Sequence, residues 1–267
     1  MEKIFTGFRS FVNEGLAQSY RFDTATSVIT DELLATLKRG LDMSTSTYKF
    51  AEFSFINGRS ESGRMLPTEV EDVVQKVDGR VIFTSKFDDP DMSSAAGSYQ
   101  ESKKYLKIVV TVPLTFTLQD IRPSNLVAKI KSTLRHEFEH TLDSLKGLER
   151  KVYGLSYDYG FLEDYHNYFT SPHEINAYTV GFYKRHKLTG QSWVEIKDNF
   201  LAWLEGVMMA KVNAEKSWDK IKKSSEDRSP ATHEDVRGLM EEISSLLVDR
   251  FEERYGEIKP DIIVRVS

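Results

Sequence analysis

The stretch Tyr105 to Leu118 (YLKIVVTVPLTFTL) carries Leu106, Ile108, Val110, Val112, Leu114, Phe116 and Leu118 at every second position. Successive side chains of an extended chain point to opposite faces, so this segment reads as a β-strand with one unbroken apolar face. Such a face needs a covering layer, and the chain must supply one. Pro113 lies on the other face and has no N–H for a ladder, which predicts an edge strand or a bulge there.

The flanking sequence supplies the rest of an α+β layout. Tyr48 to Ile56 (YKFAEFSFI) is aromatic-rich and reads as a strand closed by Asn57-Gly58; Arg80 to Phe87 reads as a second, after a turn at Asp78-Gly79. Asp88 to Lys104 is polar and small, and reads as a loop. The first forty residues read as helical. A second helix is expected from Thr30 to Leu41, where Asp31 and Glu32 at the start and Lys38-Arg39 at the end suit the helix dipole. After Pro123 the pattern is mostly helical, over about 124–147, 171–187, 191–218 and 232–255. Lys222 to Ala231 reads as a loop and Ile262 to Val266 as a last short strand. The expected fold is a small twisted sheet with its covering helix, then a mostly helical half. The 267 residues are read as one domain in two subdomains, about 1–147 and 148–267, with a cleft at their junction.

Composition narrows the chemistry. The chain has 36 Lys+Arg against 41 Asp+Glu, a net charge of −5, which marks neither a nucleic-acid binder nor a binder of anionic membranes. No stretch approaches the ~18 apolar residues of a membrane span, and the start lacks a leader-like apolar core. A cytoplasmic location is expected. With no cysteine, any metal must sit on histidine and carboxylate.

That donor set is present. His136-Glu137-Phe138-Glu139-His140 is an HExxH, whose histidines, four apart on a helix, reach one ion from the same face. With six His and 23 Glu, chance gives about 0.01 such pentapeptides, so the motif is informative. On a helical wheel with His136 at zero, His140 falls near 40° and Asp143 near −20°. Val127, Ile130, Leu134, Phe138, Thr141 and Leu145 gather on the opposite side. Glu137, at about 100°, stands at the border, which suits a base rather than a ligand. The plain alternative is a solvated helix with two surface histidines.

A catalytic zinc site needs a third protein ligand and an open position. Asp143 and Lys146 occupy the places where an extended HExxHxxGxxH would continue, so the third ligand is sought elsewhere. Glu174, in Ser171-Pro-His-Glu-Ile-Asn-Ala-Tyr, is the candidate. An alternative reading stands beside it: Ser171 as N-cap, Pro172 at the first helical position, and Glu174 as the return half of a capping box. Glu174, Ala177, Tyr178 and Gly181 share one helical face, and the small residues among them suit close helix approach.

HExxH followed about thirty residues later by a helical Glu-x-x-Ala resembles the gluzincin branch of the zincin metallopeptidases, over Tyr105 to Gly181. The resemblance implies a zincin-like fold, His136, His140 and Glu174 as zinc ligands, and Glu137 as general base. Asp143 matches the HExxHxxD of neprilysin-like sequences, where that Asp supports a ligand histidine. Many gluzincins carry Asp four residues after the ligand Glu; Tyr178 stands there in this chain. Glu-x-x-Ala without that Asp is similar to small intracellular metallopeptidases that cleave phage repressors. More faintly, HEFEH with SPHEINAY resembles uncharacterised phage-encoded proteins with a metallopeptidase motif, which would make the protein virion-associated.

The implied activity is zinc-dependent hydrolysis of a peptide or protein substrate, more an endopeptidase than an exopeptidase. Tyr178 and His173 are the candidates for the oxyanion donor, with Tyr165, His166 and His233 behind them. The aromatic run Tyr153, Tyr157, Tyr159, Phe161, Tyr165, Tyr168 and Phe169 either walls the cleft or packs a connection onto the core. An extended substrate is expected to pair with the edge of the Tyr105–Leu118 strand. The competing expectation is a non-catalytic binding or structural protein of zincin fold that keeps zinc without turnover. Hydrolysis of a non-peptide amide fits the same ligands.

Overall fold

The computed structural model describes residues 2–42, 49–86, 89, 92–121, 125–145, 161–219 and 231–256. The chain divides into two compact units, Met1–Gly147 and Leu148–Ser267. The class is α+β.

The first unit contains helices α1 (Glu2–Asp42), α2 (Thr68–Glu71) and α3 (Leu126–Leu145) with strands β1 (Lys49–Ile56), β2 (Arg59–Ser60), β3 (Lys76–Thr84), β4 (Ser94–Gln100) and β5 (Tyr105–Pro113). The strands form one mixed sheet in the order β2-β1-β3-β5-β4. β1 and β2 join through Asn57-Gly58, both at positive φ (49° and 73°), the geometry a two-residue hairpin requires. β1 and β3 are antiparallel, β3 and β5 parallel, and β5 and β4 antiparallel.

Alternation places Phe53, Phe55, Val77, Val81, Leu106 and Ile108 on the buried face, beneath α1 and α3. The two helices meet in the same core, where Phe22 of α1 stacks on Phe138 of α3 with centroids 5.0 Å apart. A buried ion pair, Arg135 to Glu139 at 3.2 Å, lies one turn along α3, and the Arg135 guanidinium stands over the Phe22 ring. The opposite face of the sheet is polar: Tyr105 donates to Asp78, Lys76 also pairs with Asp78, and Arg80 pairs with Glu52. Burial, then the Asp78 hydrogen bond and charge, push the Tyr105 hydroxyl above the usual phenol range.

Several sequence expectations change. The first forty residues form one continuous helix rather than two. Asp78-Gly79 is no turn but lies inside β3. Gly79 is the register partner of Phe53, whose ring covers it so closely that a Cβ there would stand 1.9 Å from ring carbon Cε1. The segment read as a loop, Asp88 to Lys104, contains β4. Ala95, Gly97 and Tyr99 turn inward there, small where α3 crosses, and the Tyr99 hydroxyl donates to the Val73 carbonyl at 2.8 Å. The alternating strand β5 is therefore interior, and β4 takes the edge. Pro113 ends β5 rather than bulging it. The next residue, Leu114, donates its N–H to Thr84, and the chain turns into a short 3-10 helix at Leu118–Ile121. Leu114 and Leu118 consequently leave the apolar face and are exposed.

The described residues of the second unit form four helices: α4 (Phe161–Phe169), α5 (Pro172–Thr189), α6 (Trp193–Asp219) and α7 (His233–Tyr255). The segment Phe161 to Phe169, read only as an aromatic connection, is a helix of its own; Phe161, Tyr165 and Phe169 face the core at four-residue spacing. α5 starts at Ser171, which accepts the Glu174 N–H, and ends at Gly190 in the left-handed conformation. α7 opens on a full capping box between Thr232 and Asp235. Asn176, buried on α5, accepts hydrogen bonds from Arg250 and Arg254, which ties α5 to α7. No helix among the described residues is long and apolar enough to cross a membrane. Tyr153, Tyr157 and Tyr159, most of the loop at Lys222 to Ala231, and the closing strand at Ile262 to Val266 lie outside the described residues.

Candidate metal centre

The site is built from the cores outward. Ile130, Leu134, Phe138 and Thr141 are buried, which seats one side of α3. His136 is thereby turned to a half-buried position on the other side and His140 to a buried one. Their imidazoles stand edge to face, centroids 4.8 Å apart, with the two Nε2 atoms 3.2 Å apart.

Two ligands of one tetrahedral zinc, each at 2.0–2.1 Å, stand about 3.3 Å from one another. The histidine pair stands at a distance that a shared ion would accept and that a hydrogen bond between the two rings also gives. Glu174, only 2% exposed, completes the group: one ligand atom from each of His136, His140 and Glu174 lies within 4.8 Å of the others. A two-histidine, one-carboxylate set with no thiolate fits a divalent metal ion. These three residues are the group that could hold a metal ion among the described residues.

The local reason for the position of Glu174 is the start of α5. Ser171 Oγ accepts the Glu174 N–H at 3.4 Å, so Glu174 sits in the first turn. The cap expected from sequence is present. The Ser171 N–H, which a complete capping box would give to Glu174, donates to the Tyr168 carbonyl at 3.2 Å. N-capping by Ser171 and membership of the metal group therefore coexist in one turn.

Glu137 is 6% exposed and lies against β4. Lys129, Thr133 and Glu137, four apart on α3, run along that strand. Lys129 donates to the Ser93 carbonyl at 2.8 Å, Thr133 to the Ala95 carbonyl at 3.4 Å, and Glu137 packs on Gly97. Neither β4 nor its contact with Glu137 was found from the sequence. The available signal was the run of small residues in Ser94-Ala-Ala-Gly-Ser, which matches a strand crossed closely by a helix.

The other candidates fall as follows. His173 is half-buried on α5, next to Glu174. The Tyr178 ring joins an aromatic cluster with Phe169, Phe182 and Phe200, the last at 4.5 Å. Tyr165 is buried in the core of the second unit with the Lys211 ammonium over its ring. His166 bonds Glu242 at 3.1 Å and His233 bonds Asn213 at 3.3 Å, both on exposed surface. Asp143 lies on α3, and its side chain is outside the described residues.

No protein-family model, curated protein or solved structure matches the chain at a significant level. The site must be read from its own chemistry.

Proposed function

We propose that the protein is a zinc-dependent peptidase of zincin type, with His136, His140 and Glu174 as ligands and Glu137 as general base. One observation carries the reading: two imidazole nitrogens at the spacing of ligands on one ion, with a buried carboxylate beside them. A zinc ion in this set supplies Lewis-acid activation of water and of a scissile carbonyl.

The chain's own residues do the rest. The Glu137 carboxylate accepts the proton of the attacking water as its oxygen bonds to the carbonyl carbon. It then gives that proton to the departing amine as the C–N bond breaks. Its burial against β4 keeps bulk water from competing for the carboxylate. The extended substrate lies along β4, the edge strand next to β5, rather than along β5 as the sequence suggested. His173 and Tyr178 remain the candidates for holding the developing oxyanion.

The test combines metal analysis with two variants. The purified chain is expected to hold one zinc, since three ligands with an open position bind a single ion. Glu174→Ala is expected to weaken zinc by more than about 100-fold, beyond the effect of removing a supporting group around a ligand. Glu137→Gln is expected to keep zinc and lose cleavage of a peptide library. Full zinc affinity in Glu174→Ala would remove it from the ligand set. Undiminished biological activity in Glu137→Gln would replace the enzyme with a zinc-holding binding or structural protein.

A further inference from the structure

We propose that Gly97 of β4 is a positioning residue for Glu137: the missing side chain at position 97 is what lets the carboxylate rest against the edge strand. The inference builds on the reading of Glu137 as general base. It stands on a separate observation, the steric fit between α3 and β4.

The fit is tight against two side chains. A Cβ added at Gly97 would stand 2.7 Å from Glu137 Cγ, 2.9 Å from Glu137 Oε1 and 3.0 Å from Thr133 Cγ2. Carbon atoms in contact prefer about 3.5–4.0 Å, so even a methyl group would drive Glu137 away by roughly 1 Å. Thr133 closes one way of yielding, because its hydroxyl lies on the Ala95 carbonyl at 3.4 Å. α3 itself is held one turn earlier, where Lys129 donates to the Ser93 carbonyl. The backbone of the helix is thus held along the strand, and the Glu137 side chain is the part that must move.

A displacement of about 1 Å matters for a base. Proton transfer needs heavy atoms at about 2.6–3.2 Å, and misplacement by 1 Å can lower a rate by about 100-fold. The neighbouring inward positions show the contrast: Ala95 and Tyr99 carry side chains, and glycine stands only where Glu137 crosses. Nothing in the conformation of Gly97 demands glycine, since it carries no positive φ. The requirement is spatial.

The experiment uses the full chain and four forms: parent, Gly97→Ala, Glu137→Ala and the double variant. In metal-free buffer with EDTA, Gly97→Ala is expected to lower the thermal midpoint in the parent. In the Glu137→Ala background the same change is expected to shift it at most half as far, the residue being the Thr133 contact. With zinc restored, Gly97→Ala is expected to keep one zinc per chain and its KM while kcat falls about 100-fold. Equal midpoint shifts in both backgrounds, or parent kcat in Gly97→Ala, would overturn the proposal. If Gly97→Ala alone does not fold, folding of the double variant supports it and failure of both overturns it. A parent that cleaves no peptide would sink the peptidase reading, and the unfolding cycle would still decide the role of Gly97.

Discussion

Phe138→Ala tests whether the apolar side of the HExxH helix is what seats His136 and His140. Phe138 is fully buried and stacks on Phe22 with ring planes 25° apart. Removing its ring from the core forfeits about 1.5–3 kcal/mol of apolar burial. The unfilled space, roughly 100 Å³ if nothing collapses, adds about 2.4 kcal/mol at 24 cal/mol per Å³. Partial collapse brings the expected loss to about 3–5 kcal/mol. Urea unfolding followed by far-ultraviolet circular dichroism measures it, with the slope checked to confirm that the same surface is exposed. A double-mutant cycle with Phe22→Ala should return a coupling of about 0.5–1.5 kcal/mol for the stacked pair. A loss below 1 kcal/mol, or strict additivity with Phe22→Ala, would refute the packing argument. Phe138→Leu should lose markedly less, since it keeps most of the apolar volume.

Ser171→Ala should lower stability by about 1 kcal/mol through the lost N-cap while zinc affinity, read by competition with a chromogenic chelator, falls less than in Glu174→Ala. The capping bonds from the Thr232 hydroxyl and N–H hold the Asp235 carboxyl below the usual aspartate range. Its folded-state pKa lies below the unfolded value, so the contribution is present above about pH 4 and lost as pH falls through the lowered value. Asp235→Asn should flatten that part of a stability–pH profile measured by urea unfolding. For Tyr105 the sign reverses. Its raised pKa favours the neutral phenol, so Asp78→Asn should bring the pKa down toward the ordinary value, followed by absorbance near 295 nm. EDTA should lower the thermal midpoint of the zinc-loaded parent by several degrees and leave a His136→Ala/His140→Ala variant unmoved. Zinc at a hundred times its Kd contributes about 2.7 kcal/mol.

What was legible in the sequence was local. The histidine spacing, the apolar side of α3, the Asn57-Gly58 turn and the Ser171 start of α5 each depend on residues within one or two turns of each other. What was missed depends on distant partners. β4 has too few apolar residues to announce a strand, because two of its inward positions, Ala95 and Gly97, are small to admit α3, more than thirty residues later. Gly79 looked like a turn residue until Phe53, on the neighbouring strand, was found over it. β5 has an alternating face whether it lies at an edge or inside, since periodicity reports burial of a face and is silent on neighbours. Glu174 shows the same division. Its cap could be read from the four residues Ser171 to Glu174, whereas its grouping with His136 and His140 was implied by a resemblance and not by local spacing.

The three tryptophans of the chain all lie in one helix, α6, at positions 193, 203 and 218. Intrinsic tryptophan emission is therefore a report from that helix, and the sheet that carries Gly97 is dark at those wavelengths. Trp193 is 3% exposed and Trp203 is 59% exposed, so iodide should quench the second and spare the first. A single emission band thus holds a shielded and an open component. A tryptophan placed at the exposed Phe50 of β1 would give the sheet a light of its own.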